Sequence, residues 1–276
     1  MIDPYLEQQY NNRLAVPDYA EYLADWSRRS ANYREKSKGH LNLSYGESER
    51  EVLDIFPANA ASTPIHIFLH GGYWQALNKD SFSFIAEHIN QKGECAVIIN
   101  YGLCPLVTVA EIITQIQKAT RWILLNANDY GGDTRCIQIT GHSAGAHLLT
   151  KLVTTDWNDA GFYHSPFQRL NALSGIYDLK PLVATSVNKA LQLTPQTSKQ
   201  LSSLLDSFNT GSGLTELNLL VGDLESDEYK KQSAQLMGVW KNELKMQYNT
   251  IANTHHFSIL DRFYTELYQP LMTLQK

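Results

Sequence analysis

The run Ile137-Gln138-Ile139-Thr140-Gly141-His142-Ser143-Ala144-Gly145-Ala146-His147-Leu148 sets a serine between two glycines, in the pattern G-x-S-x-G, after a β-branched stretch and before an amphipathic one. That spacing suits a strand turning sharply into a helix, with no side chain crowding Ser143, so that its Oγ stands above the sheet as a nucleophile. A serine hydroxyl attacks poorly at neutral pH, so a histidine base and a carboxylate that orients it must reach the same point. Both lie downstream. Leu219-Leu220-Val221-Gly222-Asp223 ends a strand pattern in an acid, and Thr254-His255-His256-Phe257 follows the next strand pattern.

The expected triad is therefore Ser143, Asp223 and His256, in the chain order of an α/β-hydrolase. His255 competes for the base role. His256 is preferred because the Phe257 ring beside it could pack the loop down. Asp227, Glu225 and Asp178 compete as the acid, against their ordinary roles as helix caps or charges at a helix start. Upstream, Ile65–Leu69 runs into His70-Gly71-Gly72-Tyr73-Trp74-Gln75, a loop able to aim backbone N–H groups at a developing oxyanion. The amides of Gly72, Tyr73 and Ala144 are the expected donors. Trp74, Tyr177 and His142 are candidates for the substrate wall, and His147 reads as a satisfied core residue.

Such a constellation needs a sheet whose strands end together. Strand patterns occur at 41–45, 52–56, 65–69, 96–100, 137–140, 170–173, 217–221 and 246–250, with helical spacing at 81–91, 109–126, 144–154, 227–241 and 259–274. This alternation predicts an α/β fold with an eight-stranded, mostly parallel sheet covered by helices on both faces. The first two strands, joined by Gly46-Glu47-Ser48-Glu49, read as an antiparallel hairpin. Tyr19, Tyr22, Leu23 and Trp26 mark an amphipathic helix over about 18–34, against the body or its mouth. Arg28, Arg29, Arg34 and Lys36 on its other side read as a solvated charge run. Residues 178–213 show only helical stretches and read as a small cap. The expected organisation is one domain over 1–276, with an N-terminal helical segment at 1–38.

Composition excludes several alternatives. With 23 Lys and Arg against 28 Asp and Glu, the net charge of −5 does not supply the basic surface that grips nucleic acid. Three cysteines, Cys95, Cys104 and Cys136, show no disulfide or zinc spacing. The acids Asp3 and Glu7 sit where a signal peptide would need a basic and then an apolar run, and no later stretch approaches a membrane span. The expected setting is cytoplasmic. The expected partner is a small-molecule ester or amide, with no nucleic acid, no membrane and no metal or organic cofactor, and a homodimer is left open.

Taken together, His70-Gly71-Gly72-Tyr73-Trp74, Gly141 to Leu148, Leu173-Ser174-Gly175-Ile176-Tyr177-Asp178-Leu179, Gly222-Asp223-Leu224-Glu225-Ser226 and His256-Phe257 resemble the kynurenine formamidase (arylformamidase) group of the hormone-sensitive-lipase-like α/β-hydrolases. The resemblance runs from about residue 40 to the last helix. It implies a Ser143, Asp223, His256 triad, an oxyanion hole in the HGG loop, and hydrolysis of a small ester or an N-formyl arylamide through an acyl-enzyme. The alternatives are a short-chain carboxylesterase or thioesterase and, lower, a catalytically silent ligand-binding module, which would ordinarily have lost a triad member.

Overall fold

The computed structural model describes residues 1–208 and 215–271. Eight strands form one sheet: β1 (His40–Ser44), β2 (Val52–Phe56), β3 (Thr63–Leu69), β4 (Cys95–Ile99), β5 (Gly132–His142), β6 (Phe167–Leu173), β7 (Glu216–Gly222) and β8 (Lys245–Ile251), in the order β1-β2-β4-β3-β5-β6-β7-β8. β1 and β2 form the expected antiparallel hairpin, β2 runs antiparallel to β4, and every later pairing is parallel. Each strand expected from the alternation is present. β3 and β4 are buried along their whole length, as expected of mainly apolar strands covered on both faces, and the one ring that breaks the run in β3, His66, meets Thr140 Oγ1 through its Nε2 at 2.9 Å.

Ten α-helices are described: α1 (Pro4–Tyr10), α2 (Asn12–Ala15), α3 (Tyr19–Lys36), α4 (Ser83–Gln91), α5 (Val109–Asn126), α6 (Ala144–Val153), α7 (Asn188–Leu191), α8 (Pro195–Leu201), α9 (Asp227–Trp240) and α10 (Ser258–Arg262). Their apolar stripes fill two cores, one on each sheet face. Ile112, Ile116 and Ile123 of α5, Leu148 and Leu152 of α6 and Leu236 of α9 join the larger one. Trp26 of α3, Phe84 and Ile85 of α4 and Leu260 of α10 join the other. A capping box sets the start of α5, where Thr108 Oγ1 accepts from Glu111 N and the Glu111 carboxylate accepts from Thr108 N.

Two expectations change. The last helix is shorter than its periodicity suggested: α10 ends at Arg262 and a single π-turn follows over Phe263–Leu267. Tyr268 then turns inward, its phenol donating to the buried Glu94, and Leu271 N donates to Glu94 at 2.7 Å. A buried carboxylate needs such donors, and Pro270 between them has no N–H with which to continue a helix. Residues 272–274 of the expected helix lie outside the described residues, as do 209–213 of the expected cap. The second change concerns the arginines of α3. Arg29 pairs with Asp261 at 2.6 Å and Arg34 with the fully buried Asp54, so these two clamp the helix to the body, while Arg28 stays exposed beside Asp25.

Topology positions the chemistry. Because β4 lies outside β3, β3 pairs directly with β5, and the register Leu69 to Gly141 sets the loop at His70–Gly72 beside Ser143. The pairings His142 to Leu173, Leu173 to Leu220 and Gly222 to Ile251 carry the same edge across to β8. This is the C-terminal edge of a parallel sheet, where open α/β folds gather their ligands.

Candidate active site

Ser143 closes β5 and opens α6 with φ 56° and ψ −118°, a conformation that non-glycine residues rarely hold. Its own amide donates to Leu173 O at 2.8 Å, which fixes the turn against β6. The flanking glycine is required by space, since a Cβ on Gly145 would stand 2.0 Å from Leu69 O. Ala144 is the first helical residue, so its N–H has no acceptor within α6 and remains available at the turn.

The His70–Trp74 loop approaches from β3. A Cβ on Gly71 would lie 2.9 Å from Ser143 Cβ, and Gly72 (φ +107°), Tyr73 (φ 50°) and Trp74 (φ 54°) turn consecutively through the left-handed region. Buried aromatics hold this loop. Tyr101 Oη donates to His70 O at 2.7 Å, and the His70 ring stacks on Tyr101 at 4.2 Å and on Phe82 at 5.6 Å. Burial pushes the His70 pKa down to about 4.

His256 lies at the end of the turn after β8 and is 5% exposed, so the direction of its ring is set by its partners. Its Nδ1 donates to Glu225 Oε2 at 2.8 Å, an arrangement that in the neutral ring makes Nε2 the acceptor. Glu225 Oε1 accepts in turn from Gly222 N at 2.8 Å and from Ser174 Oγ. The carboxylate on His256 is thus Glu225 and not the expected Asp223. Asp223 Oδ1 accepts from Thr254 N at 3.2 Å and shapes the turn that carries the histidine. Chain geometry accounts for the exchange: Glu225 N donates to Gly222 O at 3.2 Å, and this turn folds the longer carboxyl side chain back under the strand end.

The two adjacent histidines separate cleanly. His255 Nδ1 accepts from Phe257 N at 3.2 Å and Ser258 N at 3.3 Å, capping α10, while its ring meets Tyr22 edge-on. His142 Nε2 donates to His256 O at 2.8 Å, and burial together with the nearby His256 holds its pKa down at about 3. It therefore steadies the His256 backbone as well as lining the cavity. His147 is a buried core residue that donates to Leu201 O at 2.8 Å and so ties α6 to the end of α8. Of the remaining acids, Asp178 accepts from Lys180 N and Ser202 Oγ in a local cap, and Asp227 is an exposed residue in the first turn of α9.

Ser143, His256, His142, Gly72 and Tyr73 open onto one cavity of about 380 Å³. Two expected wall residues lie elsewhere. Trp74 and Tyr177 are fully buried in the core, Trp74 edge-on to His147 and Tyr177 with its amide donating to Gln232 Oε1. The aromatic lining is instead Trp26, Phe257, Tyr10 and Tyr73.

Sequence reasoning also missed a phenol beside the nucleophile. Tyr229 of α9 is fully buried, with its ring 5.0 Å from that of His256, and burial raises the pKa of its phenol while the nearby hydroxyls of Tyr73 and Ser143 oppose the rise. Asn12 Nδ2 donates to Tyr229 Oη at 2.8 Å, and Tyr73 Oη lies 2.8 Å away. Tyr73 donates its own proton to Tyr10 O, so the Tyr229 proton goes to Tyr73. Tyr10 and Asn12 belong to a segment with no motif, so nothing in their types announced this role. Among the described residues, no group of three or more His, Cys, Asp or Glu is placed to hold a metal ion, and no helix is long and apolar enough to cross a membrane.

Comparison with known proteins agrees with this architecture. The sequence model of the BD-FAE family matches residues 53–258. The chain is 31% identical to the kynurenine formamidase of Danio rerio over 83% of its own length and 78% of that protein's. It is 29% identical to the kynurenine formamidase of Salmo salar over 92% and 87%. A crystal structure of a candidate thioesterase from Silicibacter sp. TM1040 superposes with a TM-score of 0.82 at 25% identity, covering 95% of this chain and 96% of that one. The match spans the strand that opens the sheet core, the serine elbow and the histidine turn: the chain belongs to the BD-FAE family of α/β-hydrolases.

Proposed function

We propose that the protein is a serine hydrolase that cleaves a small N-formyl arylamide or carboxylic ester, with Ser143 as nucleophile, His256 as base and Glu225 as the carboxylate that orients it. One observation carries the reading: a strained serine elbow shares a cavity with a histidine whose far nitrogen is tied to a buried glutamate. The arylamide half is supported by the similarity to the two fish kynurenine formamidases, and the similarity to the candidate thioesterase supports acyl-bond cleavage of the wider ester kind.

In the proposed cycle, His256 Nε2 takes the Ser143 proton as Oγ bonds to the carbonyl carbon. The carbonyl oxygen becomes an oxyanion and accepts from the amides of Gly72, Tyr73 and Ala144. Glu225 steadies the imidazolium. His256 then gives its proton to the leaving nitrogen or oxygen as that bond breaks, releasing the amine or alcohol. Water attacks the acyl-enzyme, with His256 taking one of its protons and returning it to Oγ. A formyl group would leave as formate.

Side-by-side turnover of N-formylkynurenine, p-nitrophenyl acetate and p-nitrophenyl butyrate tests the substrate class, with Ser143→Ala as control. Loss of all turnover and of fluorophosphonate labelling in Ser143→Ala is expected. Turnover persisting in that variant overturns the assignment, and turnover of esters alone reduces it to an esterase.

A further inference from the structure

We infer that the substrate carries a carboxylate, received by Arg13 at the mouth of the cavity while its carbonyl meets Ser143. The inference rests on the proposed hydrolase reading and adds a substrate class to it. The cavity lining contains one formally charged side chain, Arg13, and no carboxylate. That is unexpected in a chain of net charge −5, and a lone cation exposed at the mouth of a cavity draws anions toward the opening.

Three of the other polar side chains in the lining, Ser186, Asn11 and Asn12, are engaged with the protein, and a further one, Gln75, is an uncharged amide. Ser186 donates to Glu7 through both its amide, at 2.7 Å, and its hydroxyl, at 2.6 Å. Asn11 Nδ2 donates to Glu7 Oε1 at 2.9 Å while its Oδ1 accepts from Leu14 N, and Asn12 donates to Tyr229. Glu7 therefore spends its charge on these neighbours. The Arg13 guanidinium rests over the Tyr19 ring, 5.3 Å from its centroid, and among the described residues no carboxylate is paired with it. Stacking on a ring leaves the edge of a guanidinium free, and that edge matches a carboxylate in a bidentate fork.

The same lining argues about the rest of the molecule. A zwitterionic amino acid side arm would bring an ammonium into a cavity whose walls offer it no carboxylate, whereas an aryl ring bearing only a carboxylate meets apolar Trp26, Leu23 and Phe257 and one cation. A ring-carboxylated formanilide, or the corresponding aryl ester, fits these demands.

The test compares ortho- and meta-carboxyformanilide with formanilide, and carboxyphenyl acetate with phenyl acetate, in the wild-type chain, Arg13→Gln and Arg13→Lys. The readout is the ratio of kcat/KM for the carboxylated over the uncharged member of each pair. We expect this ratio to exceed ten in the wild type, to fall at least tenfold in Arg13→Gln mainly through KM, and to recover in part in Arg13→Lys. N-formylkynurenine should be a poorer substrate than the carboxyformanilides. A wild-type ratio near one, or a ratio unaltered by Arg13→Gln, overturns the inference. Failure on formanilides with turnover of the esters would instead remove the formamidase part of the proposed function, and the ester pair would then decide the role of Arg13.

Discussion

The cavity has two walls of different construction. The inner wall, with Gly72, Tyr73, His142, Ser143 and His256, comes from turns at the ends of β3, β5 and β8 and is locked by bonds such as Ser143 N to Leu173 O and His142 to His256 O. The outer wall, with Tyr10 to Arg13, Ser186 and Val187, comes from short helices and loops at two distant places in the chain, strapped together by Glu7 and Ser186. The inner wall holds its strained backbone because the sheet register over-determines it. The strap that ties the two parts of the outer wall, Glu7 to Ser186, is made of exposed hydrogen bonds, which water can replace at small cost. The contrast separates a part suited to fixed chemistry from a part suited to choosing a substrate.

The largest effect should come from the inner wall. Ser143→Ala is expected to reduce kcat by about ten-thousandfold or more while leaving thermal unfolding within a few degrees, as followed by ester turnover and calorimetry. Next, Glu225→Gln should lower kcat by about a hundredfold to ten-thousandfold through the loss of the oriented histidine, whereas Asp223→Asn should stay within about threefold. The reverse ranking would return the orienting role to Asp223 and break the geometric reading of the site.

The inner wall and the core that supports it should also be acid-sensitive. His70, His142 and His147 are neutral in the fold, their pKa values held by burial at about 4, about 3 and about 3, below the ordinary histidine value. Each therefore contributes stability that is fully present above about pH 6.5 and is lost as pH falls from there toward its folded value. Urea midpoints at pH 7 and pH 5 should differ by an amount corresponding to on the order of 1–2 kcal/mol per histidine. An unchanged midpoint would mean that these rings are solvated rather than enclosed.

Smaller effects lie where the walls meet. Tyr229→Phe removes the buried hydroxyl that Asn12 and Tyr73 hold beside the catalytic turn and should reduce kcat by about tenfold with little change in KM, the scale of one buried hydrogen bond. A change confined to KM would place Tyr229 with the substrate rather than with the nucleophile. Smallest of all, Glu7→Ala should loosen the strap, raising KM about twofold to threefold and speeding amide exchange around Ser186 without altering kcat. An equal loss of kcat would show that the outer wall shares in the chemistry.

The legible parts of the molecule were those that depend on local pattern. Every strand of the sheet could be read from short apolar runs, and the serine elbow from two glycines whose positions admit no Cβ. The last helix was overread because its periodicity continues through Tyr268, which turns in toward a buried Glu94 that lies far away in the chain. The wall residues were misassigned for a similar reason. Tyr177 and Trp74 adjoin motifs in sequence, but they pack into the core beneath them.

What the sequence by itself determined is the class of chemistry and the scaffold, because a nucleophile elbow, a strand-ending glycine pair and a regular alternation of strands and helices are local requirements written in neighbouring residues. What only the tertiary structure decided is which carboxylate meets His256 and what encloses the substrate. Asp223 and Glu225 are two positions apart in one loop, and a turn of the backbone, not residue type, aims Glu225 at the ring and Asp223 at Thr254. Tyr10, Asn12 and Arg13 reach the cavity only because α1 docks against α9 and the cap, through contacts that span more than a hundred and seventy positions of the chain. Contacts between such distant residues leave no periodic trace in either partner, so they become visible only once the chain has folded.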